Sequence, residues 1–179
     1  MKKIITFIIL AAIATSVTAQ ENKYVYTEAS DLNLIGKIID TPNPYHRVDT
    51  MQYKGFTKGE NIQVRCSAGL AVLFKTDSKT ITVKPEYGYL GDSNSTMAIS
   101  MRGYDIYIKK DGKWLYAASR GSGRDKKKND EIVLIKDMAE GEKECMLYLP
   151  IYSELYSLKI GIDKGAKIEA LESPFRYRV

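Results

Sequence analysis

Apolar side chains along this chain recur at every second position in short runs, and turn-forming residues break the runs about every ten positions. Period two is the spacing of a strand that buries one face. A helix repeats at about 3.6 residues, so such runs do not settle as amphipathic helices. The pattern predicts an all-β fold of sandwich or barrel type. Strands are expected over Tyr24–Thr27, Ile62–Cys66, Leu70–Lys75, Ile81–Pro85, Met97–Met101, Tyr104–Lys109, Lys113–Ala117, Glu131–Ile135, Glu144–Leu149, Ser157–Ile162 and Ile168–Leu171. The piece Asp31–Ile39 is ambiguous: Ser30 suits a helical N-cap, but Leu32, Leu34 and Ile38 fit neither period.

One hairpin reads almost to side chains. Asp111-Gly112 is a type I′ turn signal, because both central positions need positive φ. A two-residue loop there pairs Lys110 with Lys113, Lys109 with Trp114, Ile108 with Leu115, Tyr107 with Tyr116 and Ile106 with Ala117. Ile106, Ile108, Leu115 and Ala117 then share the face expected in the core. Tyr107, Lys109, Trp114 and Tyr116 share the other, an aromatic outer surface. By the same alternation Cys145, Leu147 and Leu149 point inward, opposite Glu144, Met146 and Tyr148. Tyr156, Leu158, Ile160 and Ile162 are likewise expected inside. These apolar sets suffice for a two-sheet core.

The first nineteen residues read as an export signal. Lys2 and Lys3 precede an apolar run, Ile4–Ala14, broken only by Thr6, and Val17-Thr18-Ala19 offers a small-residue cleavage site. Spanning a bilayer takes roughly 20 apolar residues, so no membrane segment is expected after cleavage. The mature chain is expected to start at Gln20 and to be periplasmic or extracellular. About 160 residues remain, enough for one domain with a full core. Without Lys2 and Lys3, 25 basic residues stand against 22 acidic ones, interspersed along the chain. That distribution lacks the concentrated basic face of nucleic-acid binding. The run Lys126-Lys127-Lys128, between Gly121-Ser122-Gly123 and Asn129-Asp130, reads as a solvated loop tip.

Chemistry-bearing residues are few. Cys66 and Cys145 each sit in an alternating apolar stretch; export permits a disulfide, and two buried thiols fit equally well. No CxxC or Cys/His cluster suggests a metal, and no cofactor is expected. His46, the one histidine, lies in the stiff segment Thr41-Pro42-Asn43-Pro44-Tyr45-His46. It suits a structural hydrogen bond or a contact to a ligand or partner, with Asp49 or Asp105 as the group that orients it. Trp114, Tyr107 and Tyr116 suit either sugar stacking or burial against another domain.

The strand before the turn reads Gly103-Tyr104-Asp105-Ile106-Tyr107. It resembles the GxDLY motif of an N-terminal domain of SGNH-type esterases of Bacteroidetes, with Ile106 in place of leucine. The stretches Thr41–Asp49, Gly55–Thr76, Lys109–Ala117 and Glu144–Asp163 are similar to the same family. The resemblance implies a jelly-roll-like antiparallel β-sandwich over residues 20–172, preceding a catalytic hydrolase domain active on carbohydrate esters. Residues 173–179 resemble the start of the linker to that domain. Gly91-Asp92-Ser93 resembles the nucleophile block of such esterases, but catalysis by serine needs a base within reach. The family's histidine lies late in its chain, and His46 lies before Ser93, so a loop role for Ser93 is expected. The expectation is a non-catalytic accessory domain that packs on an SGNH hydrolase domain and shapes its cleft. A free-standing carbohydrate-binding module and a weak esterase using Ser93 are the alternatives.

Overall fold

The computed structural model describes residues 22–122 and 130–175. The expected export signal, the Lys126–Lys128 run and residues 176–179 lie outside the described residues. The strands are β1 Tyr24–Glu28, β2 Asn33–Ile35, β3 Ala71–Thr76, β4 Ile81–Tyr87, β5 Gly103–Lys110, β6 Lys113–Gly121, β7 Ile132–Ile135, β8 Lys143–Tyr148, β9 Leu155–Asp163 and β10 Ile168–Ala170. Two helices, α1 Lys58–Arg65 and α2 Ala98–Arg102, and a short 3-10 turn over Ala29–Asp31 interrupt them. The strands form two antiparallel sheets, one ordered β1-β9-β4-β7 and one ordered β10-β3-β8-β5-β6. The all-β sandwich expected from alternation is the fold observed. In the larger sheet β8 takes one edge of β3, and β2 and β10 share the other end to end, against Ala71–Leu73 and Phe74–Thr76.

The inner faces meet in one core. Val72, Leu147 and Ile106 lie side by side across β3, β8 and β5, each fully buried. Ile81 pairs with Ile162 and Val83 with Ile160 on the opposing sheet, again without exposure. Each such side chain contributes roughly 1.5–3 kcal/mol through removal from water.

Five expectations need correction. Ile62–Cys66 is not a strand but the end of α1 and its cap. Thr57 and Glu60 form a capping box at its start: Thr57 N donates to Glu60 Oε2 at 2.7 Å, and Glu60 N donates to Thr57 Oγ1 at 3.4 Å. Met97–Met101 likewise falls mainly in α2. The hairpin follows the expected pairing from Lys110 to Tyr107, with Asp111 and Gly112 at φ 52° and 75°. A bulge then shifts Ile106 opposite Ala118 instead of Ala117. Leu115 is 49% exposed, since β6 is an edge strand and β8 pairs β5 only over Asp105–Ile108, so the tip overhangs the core. Finally, Tyr156 is 54% exposed, while Leu155 takes the inward place at a bulge where Glu86 faces Ser157 and Tyr87 faces Leu155.

Leu147→Ala is expected to lower stability by about 2–5 kcal/mol in urea unfolding, through a cavity between the sheets. Leu115→Ala, on the overhang, is expected to change it by less than about 1 kcal/mol. Equal losses would show that the hairpin tip is core.

Candidate functional site

The two outer faces of the sandwich differ in chemistry. Lys84, Glu86 and Lys159 project from the middle of the four-stranded sheet, with Lys84 Nζ 5.9 Å from the Tyr26 ring. The six-stranded sheet instead carries a second apolar cluster outside the main core. Its buried members are Ala71, Leu73 and Met146, with Tyr107, Trp114 and Leu171 among those packed against them.

Cross-strand pairing arranges this outer face in rows. Ala71, Tyr148, Asp105 and Ser119 follow one another across β3, β8, β5 and β6. Leu73, Met146, Tyr107 and Tyr116 form the next row. In the third, Lys75 pairs with Glu144 and Lys109 with Trp114. The Tyr107 ring meets Tyr116 at 5.9 Å and 76° and Tyr148 at 5.8 Å and 75°, both edge to face. Lys109 Nζ lies 5.8 Å from the Trp114 ring and 2.7 Å from Glu144 Oε2. The Tyr116 hydroxyl donates to Ser119 Oγ at 3.0 Å, and Ser119 Oγ donates to Asp105 Oδ1.

The structure therefore brings together Tyr107, Trp114, Tyr116 and Asp105. Tyr148 and Ser119 complete the surface. Alternation put Tyr148 on the outer face, but only the order of the strands sets it beside Tyr107. The motif strand is legible residue by residue. Gly103 must lack a side chain, because a Cβ there would lie 2.1 Å from the Ile99 carbonyl oxygen. Tyr104 is buried, its hydroxyl 3.1 Å from that of Tyr87. Ile106 enters the core, and Asp105 and Tyr107 alternate onto the outer face.

A cleft of about 920 Å³ borders the aromatic surface at Tyr148. Ile35, Lys37, Asp40, Ala71 and Phe175 also line it. The chain after β10 runs along this side: Leu171 N donates to Leu73 O at 3.3 Å, and Asn33 Nδ2 donates to Leu171 O at 2.8 Å.

His46 lies apart from the aromatic surface, and neither Asp49 nor Asp105 orients it. Its Nε2 approaches Glu154 Oε1 at 3.0 Å in a geometry off-line for a hydrogen bond. Arg65 Nε donates to the same oxygen at 2.8 Å, and Tyr89 N donates to Oε2 at 3.0 Å. Glu154 is thus a buried carboxylate that ties α1 and the His46 segment to the sandwich. Asp49 instead accepts from Met51 N at 2.8 Å in its own turn. Ser93 sits in the loop before α2, its hydroxyl 2.9 Å from that of Ser95. Cys66 and Cys145 are free buried thiols, so the disulfide left open by the sequence is not formed. Cys66 caps α1 and Cys145 sits in the core on β8. Among the described residues no group of three His, Cys, Asp or Glu could hold a metal ion, and no helix is long and apolar enough to cross a membrane.

Burial pushes the Cys66 thiol up to about 11 and Cys145 up to about 12. Both should resist a thiol reagent at neutral pH in the native chain and react fully after unfolding; one resistant pair after unfolding would reveal a bridge. Burial, above all, lowers the pKa of His46 below its ordinary 6.5, and Arg65 adds to this, outweighing the pull of Glu154. The unfolded chain then binds the proton first as pH falls, so stability is present above about 6.5 and declines as pH drops toward the folded midpoint. Titration of this one imidazole by NMR should give a midpoint under 6.5, and His46→Gln should remove the slope in that window. A raised midpoint would contradict the assignment.

A family model for the GxDLY domain, the N-terminus of esterases of SGNH hydrolase type, matches residues 23–168. The crystal structure of a protein described as a GDSL-like lipase from Bacteroides ovatus is 37% identical, with a TM-score of 0.79 over 86% of this chain and 44% of that one. Salicylyl-acyltransferase SsfX3 of a tetracycline biosynthetic pathway shares the fold at 20% identity, with a TM-score of 0.59 over 85% of this chain and 43% of its own. This chain thus spans less than half the length of either protein. No curated protein sequence matches it significantly.

Proposed function

The chain belongs to the GxDLY family, the N-terminal domain of SGNH hydrolase-type esterases, and on that premise we propose that it is a non-catalytic accessory domain whose six-stranded sheet packs on a hydrolase domain. The observation that carries this reading is the second apolar cluster on an outer sheet face, with Leu73 fully buried and Met146 nearly so while Tyr116 is 60% exposed and Tyr148 37%. Exposed aromatic groups gathered over an apolar cluster on one face mark an interface. The outer face of the other sheet carries Lys84, Glu86 and Lys159 at its middle. The cleft beside Tyr148 would become a wall of the substrate site once the hydrolase is in place. The partner acts in cis or as a neighbouring protein, and the pair works after export, with the mature chain starting at Gln20.

Carbohydrate binding is the second reading, and the exposed Tyr116 and Tyr148 beside the cleft support it. Sugar platforms need rings lying flat in a common plane, whereas Tyr107 meets both neighbours nearly at right angles. Packing against protein tolerates that geometry better. Ester hydrolysis through Ser93 has the weakest support, because the Ser93 hydroxyl lies 2.9 Å from that of Ser95 and the His46 Nε2 lies against Glu154.

Co-expressed with the portion of the Bacteroides ovatus relative that this chain does not cover, the chain is expected to form a complex. Trp114→Ala and Tyr107→Ala should each weaken it by about tenfold or more, ~1.4 kcal/mol. No association at high concentration would overturn the docking reading. A Trp114 fluorescence response to polysaccharides would favour the sugar-binding module instead, and esterase activity lost in Ser93→Ala would make the chain an enzyme.

A further inference from the structure

Resting on that docking reading, the geometry points to Asp105 as an anchor that receives an arginine side chain from the hydrolase domain. The charges elsewhere on this face are matched internally. Lys109 pairs with Glu144 at 2.7 Å, and Lys75 lies 3.2 Å from Glu169 and 3.6 Å from Glu142. Asp105 is different. Its Oδ1 accepts from Ser119, which is itself held by the Tyr116 hydroxyl, and among the described residues no cation pairs with the carboxylate and no hydrogen bond engages Oδ2. The group is half-buried in the row between Tyr148 and Ser119, next to the apolar row of Leu73, Met146 and Tyr107.

A partner that covers the exposed Tyr148 and Tyr116 must also cover Asp105, which lies in the row between Tyr148 and Ser119. Stripping water from an unpaired carboxylate is strongly unfavourable, so the covering surface has to bring a cation. The surroundings favour guanidinium over ammonium. The Tyr148 and Tyr116 rings border the acid, and a planar, weakly hydrated cation can lie against an aromatic ring while donating to Oδ2. Ser119 and Tyr116 hold Oδ1 in place, so the acceptor is oriented before the partner arrives. The segment after β10 leads along the same side of the sheet, from Leu171 on Leu73 to Phe175 at the cleft. A domain joined there would meet this face within a short tether.

The test compares affinities in the co-expressed complex at low and at physiological salt. Asp105→Asn keeps the shape of the side chain and its bond with Ser119 but removes the charge. It is expected to weaken the complex by about tenfold or more and to flatten the salt dependence. Glu86→Gln, on the outer face of the opposite sheet, should leave both unchanged. If Asp105→Asn binds like the parent while Tyr107→Ala is weakened, the arginine anchor is wrong and the docking face stands. If the parent chain does not bind at all, the docking reading fails and the anchor with it. Circular dichroism of Asp105→Asn alone, unchanged from the parent, separates lost contact from lost fold.

Discussion

The antiparallel register of Val72, Leu147 and Ile106 governs both sides of the six-stranded sheet. Side chains alternate with period two, so the pairing that sends these three into the core sends Leu73, Met146 and Tyr107 outward together. A slip of one residue on β8 would expose Leu147 and bury Tyr148. The burial of three large aliphatic side chains in one inner row makes such a slip costly. The aromatic surface is therefore held by the core behind it, and its geometry is as well defined as the core.

Glu154 and Asp105 differ in whether a cation has already been supplied. Glu154 is buried with Arg65 and His46 against one oxygen and a backbone amide on the other. Its role is internal: it holds α1, which buries no side chain of its own, to the sandwich. Asp105 is oriented by the Ser119 hydroxyl, itself held by that of Tyr116, and lacks a cation among the described residues. An acid prepared this way on an apolar face is suited to a contact made from outside. The contrast between the two carboxylates separates the part of the molecule that stabilises the fold from the part that faces a partner.

Much of this was legible before folding, and particular residues show where legibility ended. Asp111-Gly112 announced its turn, and four of the expected pairs follow from it. The fifth failed because Ala117 and Ala118 are equally small, so alternation could not locate the bulge between them. Tyr156 misled at a second register shift, displaced where Glu86 faces Ser157 and Tyr87 faces Leu155. For α1 the contrary signal was present in Thr57 and Glu60, but the spacing of Ile62, Val64 and Cys66 imitated a strand. The partner of His46 was beyond reach, since Glu154 comes from a distant connection between β8 and β9.

By itself the sequence determined what is local: the periodicity that makes strands, the turn that makes a hairpin, and the face each side chain takes within its own strand. Those depend on backbone sterics over a few residues. The tertiary structure alone decided which strands are neighbours, which one lies at an edge, and which charges find partners. Tyr148 beside Tyr107, Leu115 in solvent and Asp105 without a cation among the described residues are all results of strand order. Strand order is settled by burial summed over the whole sheet, a non-local quantity that no short stretch of chain encodes.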